Sequence, residues 1–190
     1  MLNSLAFTGE FNQQSNEISQ ISSRWNTVIN SQQDDQYWME YALRLADKAA
    51  AAGEIPVGAV VVKNNQVIGE GWNQSISLHD PSAHAELIAI RQAGLALQNY
   101  RLIDTTLYVT LEPCPMCAGL LVHSRISRLV FGAKDYKTGA AGSIMNLTQH
   151  DQLNHQMDVT GGVCEALCAQ QISGFFQERR AAKKLAKRGV

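Results

Sequence analysis

The chain has 190 residues, 45% of them hydrophobic and 17% charged, with a formal net charge of −1. That length suits one well-cored domain and is short for two. Its longest apolar runs, such as residues 57–62, fall far below the length that crosses a bilayer, so an integral membrane protein is excluded.

The N-terminus shows no basic segment followed by an apolar one and a small-residue cleavage site, so the expected location is the cytoplasm. In a reducing compartment, the four cysteines fit metal ligands, reactive thiols or core positions better than disulfides. Charge is unevenly placed. Six of the sixteen basic residues (Arg179, Arg180, Lys183, Lys184, Lys187 and Arg188) fall in the last twelve positions. Such an end attracts nucleic acid or another anionic surface, or is simply the solvated face of a terminal helix.

In chain order, residues 1–33 are rich in Asn, Gln and Ser and lack a sustained apolar period, which predicts a mobile extension ahead of a domain spanning 34–190. Asp34 and Asp35 offer an N-cap to a helix whose stripe of Trp38, Tyr41, Ala42, Leu45, Ala49 and Ala52 stops at Gly53. Two β-rich runs, 57–62 and 67–72, joined through Asn64 and Asn65, predict a hairpin. A helix comes next, from about Ala83 to Leu97, then a buried strand over 107–111, a helix opened by Pro115 and running to about His123, and a strand over 129–132. Strands separated by helices of this length predict crossover connections and a sheet covered on both faces. Beyond Lys134, a Gly-bearing stretch through Ser143 predicts a functional loop, and a final helix runs from about Val163 into the basic end.

Two clusters carry chemistry, His84-Ala85-Glu86 and Pro113-Cys114-Pro115-Met116-Cys117. Each falls where a loop opens a helix, so both can converge at one edge of the sheet. One imidazole and two thiolates are a suitable zinc donor set that leaves the fourth tetrahedral position open for water or hydroxide. Zinc brings the pKa of such a water towards neutrality. Cys114 and Cys117 share one face of a first helical turn, where the positive helix end favours thiolates. Glu86, two residues from His84, is placed to take the water's proton, pass it to a substrate ring nitrogen and protonate a leaving amine.

A rival reading closes a structural site with Cys114, Cys117, Cys164 and Cys168. Against it, Cys164, Cys168, Ile172, Phe175 and Phe176 fall on one helical stripe, as core residues would. Glu112 reads first as structural, bonded to backbone or to a cation. His79, His123, His150 and His155 read as surface or hydrogen-bonded side chains.

H-x-E with P-C-x-x-C resembles the signature of zinc nucleobase deaminases. The likeness widens over Glu54 to Val60, Gly69 to Asn73, His79 to Glu86, Asn99 to Asp104, Leu107 to Gly119, His123 to Ile126, Gly132 to Asp135 and Lys137 to Ser143. Across about residues 36–180 the chain resembles the bacterial tRNA-specific adenosine deaminases of the cytidine/deoxycytidylate deaminase superfamily.

That resemblance implies an α/β fold of three layers, α/β/α, with a central mixed five-stranded sheet. It also implies a homodimer with one zinc per subunit, acting on the wobble adenosine of a tRNA anticodon stem-loop, typically that for arginine, to form inosine. On the same footing His84, Cys114 and Cys117 hold zinc and Glu86 moves the proton. Asn73 and the backbone of Ala85 meet the adenine, Asp135 and Lys137 lie by the target nucleotide, and Phe176 and Arg180 sit on an RNA-contacting C-terminal helix. A base attacked at its exocyclic amine must be splayed out of its loop. Tyr136 and the pair Gln177-Glu178 depart from the family pattern, the former bearing on tolerance of flanking nucleotides. The same zinc chemistry serves deaminases of free bases or nucleosides (guanine, cytosine or cytidine). A non-catalytic RNA-binding protein with a structural zinc is the remaining alternative.

Overall fold

The computed structural model describes residues 35–187. The extension expected over residues 1–33, the capping role of Asp34 and the basic Arg188 lie outside the described residues.

Helix α1 (35–51) ends at a turn that brings Gly53 to φ +77, the left-handed conformation that makes glycine the favoured stop. The hairpin is built from β1 (Gly58–Lys63) and β2 (Gln66–Trp72). Asn64 and Asn65 both take positive φ, 51 and 57, as a two-residue turn of this kind requires. Then come α2 (Ala85–Leu97), β3 (Thr106–Leu111), α3 (Pro115–Ser124), β4 (Arg128–Ala133), β5 (Asp158–Gly161) and α4 (Glu165–Lys187).

The five strands form one mixed sheet in the order β2-β1-β3-β4-β5. β1 runs antiparallel to β2 and β3, while β3, β4 and β5 are mutually parallel. Alternating side chains feed two cores. Ala59, Val61, Leu107, Val109, Leu129 and Phe131 pack with α2 and α3 on one face, and Val60, Val62, Tyr108 and Val130 pack with α1 and Cys168 of α4 on the other. This is the three-layer arrangement expected.

The position of β5 is the element that local sequence reading missed. Its four residues are half-buried or exposed, so it carries no run of core side chains. Its neighbour β4 defines it, through parallel pairing from Arg128 with Asp158 to Phe131 with Gly161.

Helices and strands approach closely through glycine. A Cβ on Gly58 would lie 2.1 Å from the Ala42 carbonyl oxygen of α1, and one on Gly71 would lie 2.3 Å from the Ala85 carbonyl oxygen of α2. The latter contact seats the start of α2 on β2. We predict that Gly71→Ala costs about 1–3 kcal/mol, because the atom in the way is backbone that cannot swing aside. Gly119→Ala, at a helical position where a Cβ meets nothing within 4 Å, should be neutral or gain up to about 1 kcal/mol. Urea unfolding of the two variants checks this contrast.

Candidate active site

The parallel strands β3 and β4 end together, with Leu111 opposite Ala133. The segments leaving these two strands, with the end of β2, build the site at that edge, the usual place for ligands in open α/β sheets. After β3 comes Glu112-Pro113-Cys114, with Cys114 as N-cap of α3 and Pro115 in its first turn. β2 leads into Asn73 and the turn-rich segment 74–82, beyond which His84 is N-cap of α2.

The three expected metal donors come together. Cys114 Sγ lies 3.6 Å from Cys117 Sγ and 3.7 Å from His84 Nδ1, and Cys117 Sγ lies 3.5 Å from that nitrogen. A tetrahedral zinc with ordinary bond lengths needs edges of about 3.8 Å between sulfurs and about 3.6 Å between sulfur and nitrogen, so the donor set fits the ion. At 3.6 Å the sulfurs are not bonded to each other, and both cysteines are free. This is the one group of three or more potential metal donors found among the described residues. Cys164 and Cys168 stand apart from it, Cys168 buried in the core, which sets aside the four-cysteine site.

The thiols share protons unequally. Hydrogen bonding to Cys117 lowers the Cys114 pKa to about 4, whereas the same bond and burial push the Cys117 thiol up. The sulfur of Cys114 also raises the pKa of His84. A divalent cation replaces this proton sharing, since its charge supports both thiolates together. Glu86 is 4% exposed, and burial pushes its carboxyl above the ordinary carboxylate range.

His84, Cys114 and Glu86 line a cavity of about 340 Å³ with Asn73, Asp135 and Thr138, a volume within the range of small-ligand sites. Asn73 Oδ1 accepts a hydrogen bond from the Ala85 backbone N–H at 2.9 Å. The two expected adenine contacts are thus bonded to each other, which leaves the Asn73 amide NH₂ as that residue's donor to a ligand. The Asp135 carboxylate caps its own turn by accepting from the N–H groups of Lys137 and Thr138 and from the Thr138 hydroxyl. Burial alone would raise its pKa, but these bonds hold it below the usual value. Lys137, Phe176 and Arg180 are exposed and do not line the cavity. Phe176 meets Phe175 edge-on at 5.7 Å, and Arg180 shares one exposed patch with Lys183, Lys184 and Lys187.

Two further glutamates frame the cavity. Glu112, 2% exposed, accepts from the backbone N–H groups of Asp135, Ala141 and Ser143 and from the Ser143 hydroxyl. Of the two partners expected for it, backbone and not a cation is found. Glu54, 1% exposed, does the same for the other rim, accepting from Ile76 N–H at 3.0 Å and Ser77 N–H at 2.7 Å. Sequence reading assigned Glu54 no role. A lone acid after a helix stop has no local signature, and its partners lie more than twenty residues on.

The family model described as the cytidine and deoxycytidylate deaminase zinc-binding region matches residues 32–133. A tRNA-specific adenosine deaminase of Haemophilus influenzae is 58% identical over 154 residues, 80% of this chain and 89% of that protein. A structure from a study of A-to-I editing by tRNA:A34 deaminases at the wobble position superposes with a TM-score of 0.69 at 41% identity, over 71% of this chain and 98% of that one. A guanine deaminase from Nitrosomonas europaea superposes at 0.62 with 26% identity, over 74% and 83% of the two chains.

The buried Glu54 carboxylate yields a pH prediction. Burial alone would raise its pKa, but the Ser77 and Ile76 N–H groups outweigh this and hold it below its usual value. A depressed folded pKa contributes stability above the unfolded pKa, lost as pH falls through the folded one. Glu54→Gln should therefore lower stability at pH 7 by about 1–3 kcal/mol. It should also flatten the decline in acid, below about pH 4.5. Denaturation series at both pH values check the pair of effects.

Proposed function

The chain belongs to the cytidine and deoxycytidylate deaminase family and, within it, to the tRNA-specific adenosine deaminases, and from that membership we propose that it hydrolyses the wobble adenosine of a tRNA anticodon to inosine. The reaction adds water across C6 and N1 of the adenine, then expels the 6-amino group as ammonia. The observation that carries it is a metal-donor triad, two of whose members (His84 and Cys114) line one cavity with the buried Glu86 carboxyl and with an amide suited to the edge of a base.

His84, Cys114 and Cys117 hold the zinc. The ion, when bound, makes a water acidic enough to serve as nucleophile at neutral pH. Glu86 takes a proton from the attacking water and delivers it to N1 of the adenine. It then takes the proton of the new C6 hydroxyl and gives it to the departing amine, which leaves the C6 carbonyl of inosine. Its burial suits this work, because raising a carboxyl's pKa makes it a better acceptor for the proton it must take up. Asn73 orients the base through its free amide NH₂, with its oxygen fixed by Ala85. Asp135 stands at the mouth, its carboxylate tied into the turn that carries Lys137.

The substrate is a single-stranded anticodon loop, typically of an arginine tRNA, whose target base is extruded into the cavity. Phe176, Arg180 and the basic face of α4 serve the RNA backbone beyond the cavity, where their exposure suits phosphate contact more than base reading. Residues 34–190 form the deaminase domain, which works as a homodimer in the cytoplasm. Among the described residues no helix is long and apolar enough to cross a membrane.

Turnover of a free base such as guanine is the second reading, favoured by the likeness to the Nitrosomonas europaea guanine deaminase. The two part on substrate. Incubation with an arginine tRNA anticodon stem-loop, beside free adenosine, guanine and cytidine, should yield inosine in the stem-loop alone by nucleoside mass spectrometry. Glu86→Ala should lower the rate by at least about 10²-fold with zinc retained. Cys114→Ser or Cys117→Ser should lose the metal, read by elemental analysis. An untouched stem-loop with turnover of a free base overturns the RNA reading.

A further inference from the structure

The loop after β4 is a wall between two cavities. Asp135 and Thr138 line the candidate catalytic cavity, while Lys134, Tyr136 and Ser143 line a second one, of about 600 Å³, together with Phe131, Gly161 and Glu165. The wall is held in place from below. Glu112 takes the N–H groups of Asp135, Ala141 and Ser143, and Gly139 lies so close that a Cβ there would stand 2.5 Å from the Glu112 carboxyl carbon.

On this fixed support Tyr136 is 74% exposed. The ring pairs among the described residues lie elsewhere. Lysines on both sides, Lys134 and Lys137, are exposed as well. An aromatic ring flanked by cations, one residue from a side chain lining the reaction cavity, is the composition of a single-stranded nucleic-acid subsite. Phe131, whose ring packs against Gly161, lines the same cavity and offers a second flat apolar surface, with Glu165 at its edge.

We infer that this second cavity receives the nucleobase next to the target nucleotide, stacked on Tyr136. The inference rests on the RNA reading above and deepens it. When the target base is drawn out of the loop, its neighbour loses a stacking partner. Tyr136 replaces that partner, offsetting part of the cost of extrusion.

The test uses the full-length zinc-loaded protein and three stem-loops: the intact one, and two with an abasic nucleotide immediately 5′ or 3′ of the wobble adenosine. On the intact stem-loop, Tyr136→Ala should raise KM about five- to a hundredfold with kcat changed less than about twofold, while Tyr136→Phe stays near the unmutated protein. One of the two abasic stem-loops should raise the KM of the unmutated protein to the same degree and have no further effect on Tyr136→Ala. Tyr136→Phe and zinc content control for folding. A KM for Tyr136→Ala within about twofold of the unmutated value, or equal losses on intact and both abasic stem-loops, overturns the subsite while leaving the deaminase reading intact. No conversion of any stem-loop by the unmutated protein overturns that reading, and the subsite with it.

Discussion

A single buried carboxylate joins the half of this site that carries the metal donors to the loop that carries Asp135. Glu112 lies two residues before Cys114 and accepts hydrogen bonds from three backbone N–H groups and a hydroxyl of the loop after β4. A nearly inaccessible carboxylate costs several kcal/mol to bury if its lone pairs go unmet. The donors come from the neighbouring parallel strand's exit loop, so that loop is fixed relative to Cys114 without a regular element of its own. The pairing of two strand ends becomes a fixed distance between the metal donors and Asp135.

The other half of the site depends on backbone proximity. Gly69 and Gly71 let the carbonyls of Ala89 and Ala85 press against β2, so the first turn of α2 has little freedom to slide along the sheet. His84 and Glu86 flank Ala85, and that contact sets their positions. Cys117, wholly buried on α3, comes from the next helix on the same face. Two helix starts seated on the sheet thus supply the donors, with no mid-loop side chain among them.

Much of this was legible from the chain alone. The first hairpin was readable because Asn64-Asn65 is a local turn signal between apolar runs. The α3 start was readable because Pro115 marks a first helical turn. The donor triad was legible by residue type and spacing, since few other chemistries bring one His and two Cys to helix starts in this order. What escaped was non-local. β5 is too short and too exposed to announce itself, and Glu54 acquires its role only by folding against Ile76 and Ser77. The bond between Asn73 and the Ala85 N–H likewise joins residues whose proximity depends on how α2 sits on β2.

Three glutamates near one cavity show how environment, not residue type, divides labour. Glu54 is inaccessible but surrounded by donors that favour its charged form, so it is held as an anion and anchors a loop. Glu112 has even more donors and anchors the opposite rim. For Glu86 burial is the dominant influence, and its proton is held more tightly. A carboxyl engaged by several N–H groups is a poor base, because each bond would weaken on protonation. The carboxyl whose pKa burial raises is also the one beside the metal donors. Exchanging the surroundings of Glu54 and Glu86 would leave the composition of the site unchanged and reverse the directions in which their two pKa values move.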